Sequence, residues 1–136
     1  MTDAELRRIF DDDARLYDRA RPDYPAALFA DLVELTGLGP GSRVIEIGPG
    51  TGQATRNLAG TGASVIAVEL GAQLASVLRE NVRGTTVQVV HSAFEDWSPP
   101  YRVVLVTSFT AWHWVEKTTR ADRVHAASHP AAGWRP

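Results

Sequence analysis

The sequence has no cysteine. That excludes disulfides, thiolate metal sites and cysteine nucleophiles. Lysine is almost missing as well: of 14 basic residues, Lys117 is the one lysine and the other 13 are arginine. No apolar run approaches the ~20 residues that span a bilayer. Residues Met1 to Phe10 are charged and lack the apolar core of a signal peptide, so a cytoplasmic location is the default expectation. An excess of one charge sign is also absent. The net charge is −2 and the pI about 6.1, which removes the general electrostatic reason to expect nucleic acid or an anionic membrane as a partner. Neither low apolar content nor high net charge is present to mark disorder. At 136 residues and 44% apolar content, the chain suits one globular domain.

What is present begins with helical pattern. Thr2 and Glu5 have the spacing of a capping box, and Leu6, Ile9, Phe10, Ala14 and Tyr17 then fall on one face. Asp11, Asp12 and Asp13 lie largely off that face and read as a solvated acidic surface rather than a metal site. Tyr17 to Pro25 carries two prolines and no periodicity, which predicts a loop. A second helix is expected from Pro25 to Gly37, with Leu28, Phe29, Leu32, Val33 and Leu35 apolar. The pattern then changes to short β-branched runs at Val44–Ile47, Ser64–Val68, Thr86–Val90 and Val103–Thr107. Helical stretches at Thr51–Ala59 and Ala72–Val82 separate the first three. Continuous apolar strands alternating with helices predict an α/β fold with a parallel sheet buried on both faces.

The informative stretch is Glu46-Ile47-Gly48-Pro49-Gly50-Thr51-Gly52, between a strand and a helix. Glycine is needed where the backbone turns with positive φ or where a ligand lies against the main chain. A strand-to-helix turn at the carboxyl edge of a parallel sheet is where such folds bind ligands. Glu69 closes the second strand, 21 residues after Gly48, where an acid can accept hydrogen bonds from both ribose hydroxyls. Dinucleotide sites use G-x-G-x-x-G; here the spacing is G-x-G-x-G, and Gln53 stands where that pattern wants glycine. The negative charge of Glu46 suits a ligand with an amino group and a sulfonium better than a pyrophosphate. A nicotinamide-dependent oxidoreductase therefore ranks behind.

These residues resemble the class I S-adenosylmethionine-dependent methyltransferases, with Glu46 to Gly52 as their first motif and Glu69 as their ribose-binding acid. Tyr17 to Pro25 resembles the Y-D-x-x-R-P-x-Y-P segment of a small-molecule, methyltransferase type 11-like subgroup. His91 to Trp97 sits where the family's adenine loop follows the third strand, and Ala111 to Trp114 resembles its A-x-H-W segment. The resemblance implies a Rossmann-like core that transfers a methyl group from S-adenosyl-L-methionine to a small-molecule acceptor. It implies that Gly48, Pro49, Gly50, Thr51 and Gly52 cradle the methionine part and that Glu46 lies near its amino group. Glu69 would hold the ribose, with Leu70 beside the adenine. Ala93 and Phe94 would line the adenine, and the Phe94 N–H could bond a ring nitrogen. Arg21 would pair with the cofactor carboxylate, or belong with Arg19, Asp18 and Asp23 to a surface charge cluster. Tyr17 would close over the site. His113 is a candidate base or a structural histidine between Trp112 and Trp114. His91 reads as a hydrogen-bonded strand-end residue. His125 and His129 have zinc-like spacing but no third ligand.

Three departures accompany the resemblance. Ala93 stands where the adenine loop often has Asp, and Arg102 where the fourth strand usually begins with Asp. After Val115 the expected fifth to seventh strands do not follow. The expected division is thus a helical cap at 1–40, a cofactor core at 41–115 and a degenerate tail at 116–136. In that tail only Ala121, Val124 and Ala127 offer a weak helical face. The GC-rich codon bias of the last residues makes gene truncation or a frame slip the expectation. A non-catalytic remnant that binds cofactor weakly is then the rival reading, and the open strand-four edge invites self-association.

Overall fold

The computed structural model describes residues 2–21, 23–109 and 120–128. Helix α1 (Asp3–Asp12) opens with the expected capping box: Thr2 Oγ1 accepts the Glu5 N–H at 3.2 Å, and the Glu5 carboxylate accepts the Thr2 N–H at 2.6 Å. A second short helix follows at once, α2 (Ala14–Ala20). Tyr17 to Ala20 are therefore helical, which corrects the expectation of a loop from Tyr17. Two causes lay outside composition. Asp13 Oδ1 caps α2 by accepting the Leu16 N–H at 3.2 Å, and Ala14 is buried with Leu74 and Val77. Helix α3 (Ala26–Thr36) ends on Gly37 in the left-handed conformation, whose N–H bonds the Val33 carbonyl.

The core is a four-stranded parallel sheet built from β1 (Arg43–Ile47), β2 (Ser64–Glu69), β3 (Gln88–His91) and β4 (Leu105–Thr107), in the order β3-β2-β1-β4. Helix α4 (Thr55–Gly60) connects β1 to β2, and α5 (Ala72–Asn81) connects β2 to β3. The helix expected from Thr51 begins only at Thr55, because Gly52 sits at φ +106° and holds residues 51–54 in turns. The parallel α/β architecture stands as expected. Side chains alternate between two faces. Val44 and Val65 pack with Phe29 and Leu58 on the side of α3 and α4. Ile45, Ile47, Ile66 and Val68 pack on the other side with Phe94 of the 3-10 turn Phe94–Asp96.

That second face is closed by α6 (Arg120–Ser128). Of the weak face expected there, Ala127 is buried in the core cluster, Val124 packs against it and Ala121 stays exposed. The Val103 N–H donates to the Ala127 carbonyl at 3.3 Å, and Val104 donates to the Arg43 carbonyl at 2.9 Å. Helix α6 thus packs on the core through Ala127 and Val124, while Ala121, Asp122, His125 and Ala126 stay exposed. β4 ends the described strand order, with Val104 at its start exposed. Among the described residues no helix is long and apolar enough to cross a membrane.

Candidate functional site

Parallel pairing brings the carboxyl ends of the strands to one edge. Ile47 lies beside Val68, and Glu69 beside His91. The glycine-rich turn leaves β1 at that edge. Gly48, Gly50 and Gly52 all have positive φ, at +64°, +61° and +106°. Two of them also meet neighbours that a side chain would strike. A Cβ on Gly50 would lie 3.0 Å from Tyr17 Cε1, and one on Gly52 would lie 2.9 Å from Leu78 Cδ1. The turn is pressed between α2 and α5, with bare main chain where a ligand approaches.

Glu69 is 6% exposed and joins this turn to the start of α5. Its Oε1 accepts the Gly50 N–H at 2.9 Å and its Oε2 accepts the Gly71 N–H at 2.8 Å. Burial raises its pKa above the ordinary carboxylate value, and the backbone bonds oppose that rise. Each oxygen keeps a lone pair for a ligand hydroxyl. Glu46 is more deeply buried, at 1% exposure, and accepts a hydrogen bond from Thr55 Oγ1. Burial pushes its carboxyl up to about 7, with the Thr55 bond working against the shift and the Glu69 charge adding to it.

Glu46, Gly48 and Pro49 line a small open cleft, together with Tyr17 and Arg21. Tyr24, Gln53, Ala54 and Phe109 complete the lining. Sequence reasoning did not place these four in the site. Gln53 carried a signal, a polar residue where helix–strand packing wants glycine. Tyr24 carried one too, as a fixed position of the Y-D-x-x-R-P-x-Y-P segment; Phe109 carried none, since it meets Tyr24 only in space, with ring centroids 5.1 Å apart. Arg21 donates to the Tyr24 hydroxyl at 3.3 Å, and its guanidinium carbon lies 5.6 Å from the Tyr17 ring centroid. Burial raises the Tyr17 pKa, which keeps the phenol neutral.

Behind the turn lies an amide–carboxylate network. Asn81 Nδ2 donates to the Thr51 carbonyl at 2.8 Å and to Asp18 Oδ1 at 3.1 Å. Gln53 Nε2 donates to Thr51 Oγ1 at 2.5 Å and to the same Asp18 oxygen at 3.4 Å. Asp18 therefore belongs to the support of the turn, and Asp23 pairs with Arg56 at 3.7 Å. These contacts replace the surface cluster of Arg19, Arg21, Asp18 and Asp23. Of the acidic run, Asp12 and Asp13 are exposed as expected, and the expectation is corrected for Asp11. Asp11 Oδ1 accepts the N–H groups of Gln73 and Leu74 at 2.7 and 2.8 Å, so it caps α5. Among the described residues no cluster of His, Asp and Glu could hold a metal.

Beside β3, Leu70 is exposed at the end of β2 and its carbonyl meets His91 Nε2 at 3.0 Å. The Ser92 N–H donates to the Glu69 carbonyl at 3.0 Å, which sets the loop holding Ala93 beside Glu69. The Phe94 ring is buried in the core cluster. What Phe94 presents is its N–H at the start of the 3-10 turn, where no intrahelical acceptor exists. Trp112, His113, Trp114 and His129 lie outside the described residues.

The geometry fits S-adenosylmethionine. Three positive-φ glycines open the turn, a buried acid, Glu69, bonds to it, and a second buried acid, Glu46, shares the cleft beside it with Arg21. Comparison with known proteins agrees. A model of the ribosomal RNA adenine dimethylase family matches residues 27–126. Ribosomal RNA small subunit methyltransferase A of Thermosynechococcus vestitus is 42% identical over 64 residues, which are 47% of this chain and 24% of that one. An uncharacterized methyltransferase of Mycobacterium tuberculosis is 31% identical over 114 residues, 84% of this chain and 45% of that one. The chain thus spans less than half the length of these curated relatives. In fold it resembles the S-adenosylmethionine-dependent methyltransferase of Thiobacillus denitrificans, solved with S-adenosyl-L-homocysteine. The TM-score is 0.67 at 17% identity, over 90% of this chain and 52% of that one.

The family match overturns the expectation of no nucleic-acid partner. Whole-chain charge was a poor guide, because it sums over a chain that matches only part of each relative. The small-molecule subgroup also rested on Tyr17 to Pro25, which lie before the matched stretch. The cofactor is S-adenosylmethionine, and the chain belongs to the ribosomal RNA adenine dimethylase family within the class I methyltransferases.

Proposed function

We propose that the chain carries the cofactor-binding part of an enzyme that methylates adenine in ribosomal RNA. The observation that carries the reading is the family match over residues 27–126, which includes the whole glycine turn and Glu69. A dimethylated adenine implies the exocyclic amine, the one ring substituent with two N–H bonds to replace. When bound, S-adenosylmethionine supplies an activated methyl group on a sulfonium. The protein's own part is to hold, orient and dry the reacting end. Glu69 offers two buried acceptor oxygens to the ribose. Glu46 and Arg21 offer opposite charges to the amino and carboxylate groups. Tyr17, lying over Gly50, excludes water from the turn.

The test is transfer of a labelled methyl group from S-adenosylmethionine to deproteinised small-subunit ribosomal RNA, with a pool of small metabolites in parallel. Label is expected in the RNA, released on digestion as methylated adenosine, and lost in Glu69→Ala. Label confined to the metabolites would sink the RNA reading. Binding of S-adenosylhomocysteine without transfer to either pool would sink the catalytic reading and leave a cofactor-binding unit.

A further inference from the structure

We infer that the side-chain carbonyl of Gln53 accepts a hydrogen bond from the ammonium group of the cofactor's methionine end, beside the Glu46 carboxylate. This rests on the cofactor reading above.

Gln53 is 5% exposed and lines the same cleft as Glu46 and Arg21. Its amide nitrogen is committed to Thr51 Oγ1 at 2.5 Å and Asp18 Oδ1 at 3.4 Å, neither of which lines the cleft. Asp18 decides which way the amide faces. An ionised carboxylate only accepts, so it selects the NH₂ end of Gln53 and turns the carbonyl oxygen away. Asn81 donates to the same Asp18 oxygen and to the Thr51 carbonyl, so Asp18 is itself held in place. The Gln53 oxygen has no hydrogen-bond donor among the described residues. A buried acceptor left so costs free energy until a donor arrives.

The cleft's polarity says what that donor is. Glu46 and the Gln53 carbonyl are two acceptors in one small space, and among the described residues the one donor to Glu46 is the Thr55 hydroxyl. Two acceptors in one cleft, one of them a carboxylate, match a group with several N–H bonds and a positive charge. Arg21 in the same cleft matches a neighbouring carboxylate. An α-amino acid end has both. The sulfonium of the cofactor has the positive charge but no N–H bond, and its adenine has N–H bonds but neither a positive charge nor a carboxylate.

The experiment compares two ligands by calorimetry: S-adenosylhomocysteine, which has the amino-acid end, and 5′-methylthioadenosine, which lacks it. Gln53→Met keeps the length of the side chain and removes the carbonyl. It is expected to weaken S-adenosylhomocysteine about tenfold, as for a hydrogen bond to a charged group, while methylthioadenosine affinity stays within twofold. In the double variant Gln53→Glu with Asp18→Asn, the new side-chain amide donates to the new carboxylate, which still has an oxygen for the ammonium. Affinity for S-adenosylhomocysteine should then return to the wild-type value or exceed it. Equal weakening of both ligands by Gln53→Met would mean that the residue only shapes the turn, and would overturn the inference. So would unchanged affinity for both, or failure of the double variant to recover when its thermal unfolding matches wild type. Absence of binding by the wild-type chain would instead overturn the cofactor reading itself, and the inference with it.

Discussion

Glu46 and Glu69 are two carboxylates taken out of water at one edge of the sheet, and burial raises the pKa of both. The folded chain holds the Glu46 proton up to about pH 7, against 4.5 for the ordinary group. Between those values the folded state binds more protons than the unfolded one, so stability from this site is full at low pH and is lost as pH rises through 7. Glu69 acts in the same direction. Urea unfolding of Glu46→Gln should therefore show a flatter fall in stability between pH 5 and 7 than wild type. Parallel curves would mean that Glu46 titrates normally. Gly52 is constrained twice, by φ +106° and by the Leu78 methyl 2.9 Å from a Cβ position. Gly52→Ala should lower unfolding free energy by roughly 1–3 kcal/mol, read in the same urea titration. A loss below half that would show that the turn can relax.

Helices α1 and α2 dock along α5 at several points. Asp11 caps its first turn, Ala14 packs on Leu74 and Val77, Arg15 pairs with Glu80 at 3.1 Å, and Asp18 meets Asn81 at its last residue. The exposed Arg15–Glu80 pair contributes little. The Asp11 cap contributes more, because it satisfies two backbone donors that α5 cannot satisfy alone. Asp11→Ala should cost about 1 kcal/mol, a fall of roughly 4 °C in melting temperature for a domain of this size. Asp11→Asn should recover most of it. If Asn fails where Asp succeeds, the charge near the helix start matters more than the hydrogen bonds.

For the whole molecule, α6 decides whether the sheet is covered on one face or two. Ala127 is 2% exposed among Ile45, Ile66 and Val103. Ala127→Asp would bury an unpaired charge there, at a cost of several kcal/mol. The expected outcome is loss of the cooperative unfolding transition, or a melting temperature lower by more than about 10 °C. A variant that melts like wild type would show that α6 is dispensable and that the second face holds without it.

The sequence by itself determined the sheet, the glycine turn and the buried acid at the neighbouring strand end. Each of these is local: β-branched runs make strands, glycines at fixed spacing make the turn, and an acid 21 residues on falls at the neighbouring strand end. Gly48, Gly50, Gly52, Glu46 and Glu69 were legible for that reason. Only the tertiary structure decided the uses of Asp11 and Asp18, which composition presents as solvated charges. The partners of Asp11 and Asp18 lie on α5 and the glycine turn, up to 63 residues away in the chain. Tyr24, Gln53 and Phe109 entered the cleft the same way, through packing between elements. Helix α6 looked weak because propensity measures a helix alone, whereas burial of Ala127 and Val124 against a sheet face is what holds it. Net charge said least about partners, since it sums over every residue while recognition depends on a few placed ones.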